Sequence, residues 1–142
     1  MPPRASRLVA ALTLLVAHTG CANFYTRIAA TPVAEARITE ADERLAVSIA
    51  REIAGRHGLR ETALPEPVPD LLADFGDASV SLQVWSPGAD APIHFTIGEL
   101  GAWGESRRTR AIREALLARL ARERPDLETS VTTRRDLLPL GP

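Results

Sequence analysis

Three arginines that stand close together in the chain, Arg107, Arg108 and Arg110, are the side chains whose type and spacing most clearly suggest chemistry. They follow Ser106, a residue type that commonly caps a helix, so we expect them in the first helical turn. Positive charge is unfavourable there because it opposes the helix dipole. Free backbone N–H groups and guanidinium groups together suit a phosphate or a carboxylate. The sequence therefore leaves three alternatives: a site for a small anion or lipid headgroup, a solvated basic surface, or pairing with the acidic segment 61–77.

The other residues capable of catalysis or metal binding do not form a recognisable set. His94 is the only histidine in a predicted strand, and no carboxylate or second histidine stands at metal-ligand spacing from it. No serine lies in a Gly-x-Ser-x-Gly turn, and the glycines of residues 98–104 lack the lysine of a phosphate-binding loop. We therefore expect no catalytic residues, no bound metal and no cofactor.

The beginning of the chain has the pattern of an export signal. Arg4 and Arg7 precede an apolar run at residues 8–17, and small residues come after it. As a helix, such a run covers only about half of the ~30 Å hydrocarbon core of a bilayer, so it is too short for a permanent span. A positive start, a short apolar middle and small residues behind it are typical of a secretory signal peptide.

The residues Thr19-Gly20-Cys21 at the end of this signal resemble the lipobox of bacterial lipoproteins. The resemblance implies cleavage before Cys21, lipid attachment to its sulfur and acylation of the new amino group. It also implies a location in the bacterial cell envelope, and Ala22 after the cysteine favours the outer membrane, with the domain facing the periplasm. The alternative is ordinary cleavage after Ala22, which would discard Cys21 and release a soluble protein.

Length and composition restrict the remainder of the chain to one small domain. We predict a signal peptide at residues 1–20, a tether at 21–37 and a single α+β domain at 38–142. The formal net charge is −1 and only 4% of the residues are aromatic, which excludes general attraction to nucleic acid and a platform of stacked rings. We therefore expect no nucleic-acid partner.

Apolar periodicity predicts the elements that would position these side chains. A helix should begin after Thr39 and end near Gly58, and a second should run from Ser106 to the residues before Pro125. Between them, residues 80–85 and 93–97 should pair as an antiparallel hairpin. Its buried face should carry Val80, Leu82, Val84, Ile93, Phe95 and Ile97, with Trp85, His94 and Thr96 on the opposite face.

Two further segments complete the predicted fold. We expect one helical turn containing Leu71, Leu72 and Phe75, and a short last strand at residues 127–133 with Val131 directed inward. The chain is thus predicted to form a two-layer α+β sandwich in the order helix, β-hairpin, helix, short strand, with an antiparallel sheet.

These observations favour a non-enzymatic, lipid-anchored protein of the cell envelope, a structural or assembly accessory that acts by protein contact. Its expected partners are the membrane, through the lipid on Cys21, and an envelope protein. The alternative is a periplasmic-side module that binds a small anion or lipid headgroup through Arg107, Arg108 and Arg110.

Overall fold

A computed structural model describes residues 22–34 and 36–137 of the chain, without the side chains of Ala22 and Leu137. The predicted signal peptide, Cys21 and the tail at 138–142 lie outside the described residues.

The described residues form two helices and six strands. In chain order these are β1 (Ala22–Pro32), α1 (Glu40–Arg56), β2 (Arg60–Glu61), β3 (Leu71–Gly76), β4 (Val80–Trp85), β5 (Ile93–Leu100), α2 (Arg107–Glu123) and β6 (Leu127–Leu137). All six strands belong to one antiparallel sheet in the order β2-β3-β4-β5-β1-β6. Both helices pack on the same face of this sheet, so the other face has no covering layer among the described residues.

The β4–β5 hairpin has the predicted pairing and the predicted faces. Trp85 lies opposite His94, and Val84 lies opposite Phe95. The predicted inner residues are buried, and Leu82 and Phe95 are completely inaccessible. Because side chains alternate along a strand, the residues between them lie on the uncovered face.

Helix α1 begins at the predicted cap. The Thr39 side chain accepts a hydrogen bond from the Asp42 backbone, and the Asp42 carboxylate accepts one from the Thr39 backbone, which forms a capping box. At the other end Gly58 has a φ of 73° and the Leu59 N–H donates to the Ala54 carbonyl. A glycine tolerates this left-handed conformation, which turns the chain away from the helix.

Helix α2 is also capped as predicted. Ser106 accepts a hydrogen bond from the Thr109 N–H, and Ile112, Leu116 and Leu120 form its buried stripe. An ion pair from Arg119 to Glu52 links α2 to α1. The two helices therefore form one layer over the sheet.

The predicted tether is wrong for residues 22–32. This segment forms β1, which lies inside the sheet between β5 and β6, and Ile28 is completely buried. In β1, alternate residues point to the covered face, namely Phe24, Thr26, Ile28 and Ala30. The residues between them point to the uncovered face, as in a strand with one buried face.

Two other predictions are corrected. The residues expected in a helical turn form β3, in which the pairing register shifts between Leu71 and Ala73. The last strand extends to Leu137 instead of ending at residue 133. Val131 lies opposite Ile28 on the covered face, as predicted, but it is 41% exposed because β6 is the edge strand of the sheet. The α+β class and the antiparallel sheet are confirmed, but the sheet has six strands where the sequence predicted three.

Candidate functional site

The uncovered face of the sheet is built from rows of side chains that cross four strands. The middle row contains Gln83, Thr96, Arg27 and Thr132, each opposite the next across a strand pair. The row on one side contains Trp85, His94, Ala29 and Ser130, and the row on the other contains Ser81, Gly98, Tyr25 and Arg134. Small, polar and aromatic side chains thus replace the aliphatic residues of the covered face.

These rows enclose a groove of about 360 Å³. Tyr25 and Trp85 contribute its two aromatic rings, and Arg27 and Arg134 contribute its positive charges. The Arg134 guanidinium lies 5.9 Å from the centroid of the Tyr25 ring, and the Trp85 indole N–H donates to the Gln83 side chain at 3.3 Å. The groove therefore presents aromatic surface and guanidinium groups together.

Gly98 allows the Tyr25 ring to lie across β5. A Cβ atom at this position would be 2.7 Å from the Ser81 Oγ and 3.1 Å from the Tyr25 Cε1. Both separations are shorter than normal carbon contacts. The glycine thus permits the close approach of the Ser81 and Tyr25 side chains within the sheet.

His94 lies at the edge of this groove in a half-buried position. Burial lowers its pKa, and the nearby Arg27 charge lowers the pKa further, because both disfavour the imidazolium. Its buried Nδ1 has no hydrogen-bond partner among the residues that the structure describes. The neutral ring is therefore the favoured form near neutral pH.

The three predicted anion-binding arginines contact different partners. Arg108 donates to the His57 carbonyl at 2.6 Å and forms a 2.6 Å ion pair with Asp77. Arg110 lies 3.4 Å from Glu105, a carboxylate that also binds another arginine of α2. Pairing with the acidic segment 61–77 is confirmed for Arg108, since Asp77 belongs to that segment. The structure does not bring the three guanidinium groups to one acceptor, and anion binding by them stays a prediction.

The Asp77 carboxylate that pairs with Arg108 is also hydrogen-bonded to the backbone. Its carboxylate accepts hydrogen bonds from the backbone N–H groups of Ser79 at 2.9 Å and Val80 at 2.8 Å. These bonds, followed by the Arg108 contact, hold the pKa of Asp77 well below its usual range. Arg108 and Asp77 therefore close the turn between β3 and β4 against the end of α1.

Sequence reasoning missed Tyr25, Arg27 and Arg134 as members of a site. The first two lie in the segment interpreted as a tether, and Arg134 lies beyond the predicted end of the last strand. The aromatic and β-branched residues Phe24, Tyr25, Thr26 and Ile28, which are types that favour strands, are the signal that could have identified β1.

Two other kinds of feature are absent from the described parts of the chain. No three His, Cys, Asp or Glu side chains among residues 22–34 and 36–137 are grouped as metal ligands. Neither helix in these ranges is long and apolar enough to cross a bilayer.

No protein-family model matches this chain, and no curated protein matches it in sequence. Among solved structures, it is similar to the VAO-type flavoprotein MtVAO713 from Myceliophthora thermophila C1, with 14% sequence identity and a TM-score of 0.40. The similarity covers 82% of this chain and 18% of the flavoprotein, so the chain spans less than a fifth of that structure's length. A likeness at this level does not indicate a function.

Proposed function

We propose that this chain is a non-enzymatic lipoprotein of the bacterial cell envelope that acts as a structural or assembly accessory by binding another protein. The observation that carries the proposal is the groove on the uncovered face of the sheet. Aromatic residues and arginine are enriched in protein interfaces, because they combine a large contact area with directed polar groups. The groove places Tyr25 and Trp85 beside Arg27 and Arg134.

The membrane attachment is proposed from the sequence before β1. Cys21 immediately precedes Ala22, the first residue of β1. Lipid chains on Cys21 would therefore hold the sheet beside the membrane without an intervening spacer. Two or more acyl chains anchor a protein stably, whereas one binds only marginally. We place the anchor in the outer membrane and the domain on its periplasmic side.

Metabolic labelling with a fatty-acid analogue tests the anchor. We expect label on the native chain, and no label on the Cys21→Ala variant. An unlabelled native chain whose mature N-terminus is Asn23 would contradict the lipoprotein proposal and support secretion.

Site-specific photocrosslinking in the native envelope tests the contact face. A photoreactive residue at Thr132, in the groove, should give a discrete crosslinked species. The matched control is Ser48, an exposed residue of α1 on the helical layer. Equal crosslinking from both positions, or none from Thr132, would contradict binding through the uncovered face.

One observation favours the second candidate, a module that binds a small anion. Arg107 is exposed, and it has no hydrogen-bond or ion-pair partner among the residues that the structure describes, so its guanidinium is available. Inorganic phosphate should then raise the melting temperature of the native chain, with a smaller rise for Arg107→Ala. An identical rise in both proteins would exclude this site.

A further inference from the structure

Two of the most exposed large apolar side chains lie at one end of the sheet. Leu100 is 59% exposed and Trp103 is 47% exposed. Leu100 is the last residue of β5 and lies opposite Asn23, one residue after the start of β1. We call this region, where β1 begins and β5 and β6 end, the proximal end of the sheet.

Trp103 belongs to the same region because of its contact with β6. The Arg135 guanidinium lies 5.2 Å from the centroid of the Trp103 ring. Arg135 in turn lies opposite Phe24, two residues after the start of β1. The backbone of the loop is held here as well, because the Gly101 N–H donates to the Asn23 side chain at 3.4 Å. Leu100 and Arg135 therefore lie opposite residues within two positions of Ala22, and Trp103 contacts Arg135.

The position of Cys21 next to Ala22 indicates that the proximal end faces the membrane. Residues 1–21 precede Ala22 in the chain, and Ala22 pairs with Leu137 at the proximal end. If Cys21 carries lipid, its sulfur lies one residue away and the bilayer surface must be adjacent. Tryptophan favours the membrane interface, where its ring is partly in apolar surroundings and its N–H remains hydrated. Arginine can bind lipid phosphates through its fork of N–H groups.

We infer that the proximal end, through Leu100, Trp103 and Arg135, lies in the interfacial region of a phospholipid bilayer. The inference rests on the proposed function, because the Cys21 anchor sets the distance to the membrane. It goes beyond anchoring, since it gives the domain one orientation. The strands point away from the lipid surface, and each successive row of the groove lies farther from the bilayer.

The only two tryptophans of the chain allow this orientation to be measured. Trp85 lies in the row that contains Ala29, seven residues along β1 from Ala22. At a rise of about 3.3 Å per residue, that row stands roughly 23 Å from the proximal end. Trp103→Phe leaves only the distant indole, and Trp85→Phe leaves only the proximal one.

The experiment uses the full gene product as isolated from cells, mixed with or reconstituted into phosphatidylcholine vesicles containing lipids brominated on their acyl chains. Brominated chains quench tryptophan fluorescence at short range. We expect strong quenching in Trp85→Phe and little in Trp103→Phe. Equal quenching in the two variants, or greater quenching of Trp85, would overturn the inferred orientation.

A pair of substitutions separates the surface from the anchor. Leu100→Gln should reduce the quenching of Trp103 severalfold, because it places an amide in the interface. Val33→Gln is the matched control, since Val33 is 55% exposed just beyond the opposite end of β1. Equal quenching in the two variants would also contradict the inference. Circular dichroism of both should match the native chain.

Mass spectrometry of the same preparation distinguishes the two proposals. An acylated chain without Trp103 quenching overturns the orientation alone. A bare chain without quenching overturns the anchor and the orientation together. A bare chain whose Trp103 is still quenched overturns the anchor and supports the membrane-binding surface.

Discussion

The two faces of the sheet share the same strands but differ in the burial and the polarity of their side chains. On the covered face, Val84, Phe95 and Ile28 lie side by side and are completely buried beneath the helices. In the adjacent row, one residue away on each strand, Gln83, Thr96 and Arg27 lie side by side on the uncovered face. An antiparallel sheet with one packed face produces this contrast from period-two alternation alone. The covered face therefore holds the fold together, and the uncovered face is free to carry binding residues.

Truncating one of the two buried phenylalanines of the covered face should have the greatest effect on stability. Phe95→Ala should lower the free energy of unfolding by about 3–5 kcal/mol, because it removes a buried ring and leaves a cavity. Thr96→Ala, one position along the same strand, should change it by less than about 0.5 kcal/mol. Urea unfolding followed by circular dichroism measures both. Similar losses in the two variants would show that the uncovered face is packed against something in solution.

Gly98 is a position of the uncovered face where a larger side chain should be destabilising. Gly98→Ala should destabilise the protein by about 1–3 kcal/mol, because overpacking forces neighbouring atoms to move. The new methyl group would meet the Ser81 Oγ and the Tyr25 ring. Adding Ser81→Ala should restore part of the loss, since it removes the atom with the shortest contact. No recovery in the double variant would place the strain at the Tyr25 ring.

Asp77 lies in the turn between β3 and β4 and links it to Arg108 of α2. Removing its carboxylate should lower the free energy of unfolding by an intermediate amount. Asp77→Ala removes two backbone hydrogen bonds and the Arg108 ion pair. We expect a loss of about 1 kcal/mol at neutral pH, because the carboxylate is partly exposed and water compensates some of these contacts. Asp74→Ala is the matched control, since the Asp74 side chain makes no hydrogen bond or ion pair within the described residues. Equal losses would exclude a specific role for the turn.

The same carboxylate predicts a pH dependence. Its pKa is lower in the folded state than its ordinary value of 3.8, so its stabilising effect is complete above that value. The effect is lost as the pH falls below about 4, because the unfolded chain then binds a proton more readily than the folded one. The stability difference between the native chain and Asp77→Ala should therefore shrink on acidification. A constant difference down to pH 2 would contradict this account.

Sequence reasoning succeeded where one pattern persisted and failed where it was interrupted. The hairpin of β4 and β5 was predicted with its faces, because six apolar positions alternate without a break. Strand β3 was missed because Leu71 and Leu72 are adjacent, and the register shift before Ala73 disrupts the alternation. Strand β1 was missed because its pattern comes directly after the predicted signal, where a tether is the usual expectation. The groove depends on β1 and on the far end of β6, so it could not be predicted without them.

The smallest effect is electrostatic and confined to the uncovered face. The pKa of His94 is lowered chiefly by burial and then by the positive charge of Arg27. Arg27→Ala should therefore raise the His94 pKa, while leaving it below the ordinary value because the ring stays half-buried. An NMR titration of the imidazole protons measures this change. Arg60→Ala on β2 is the control, since β2 is three strands away from β5 in the sheet. An unchanged His94 pKa in Arg27→Ala would mean that water in the groove screens the Arg27 charge from His94.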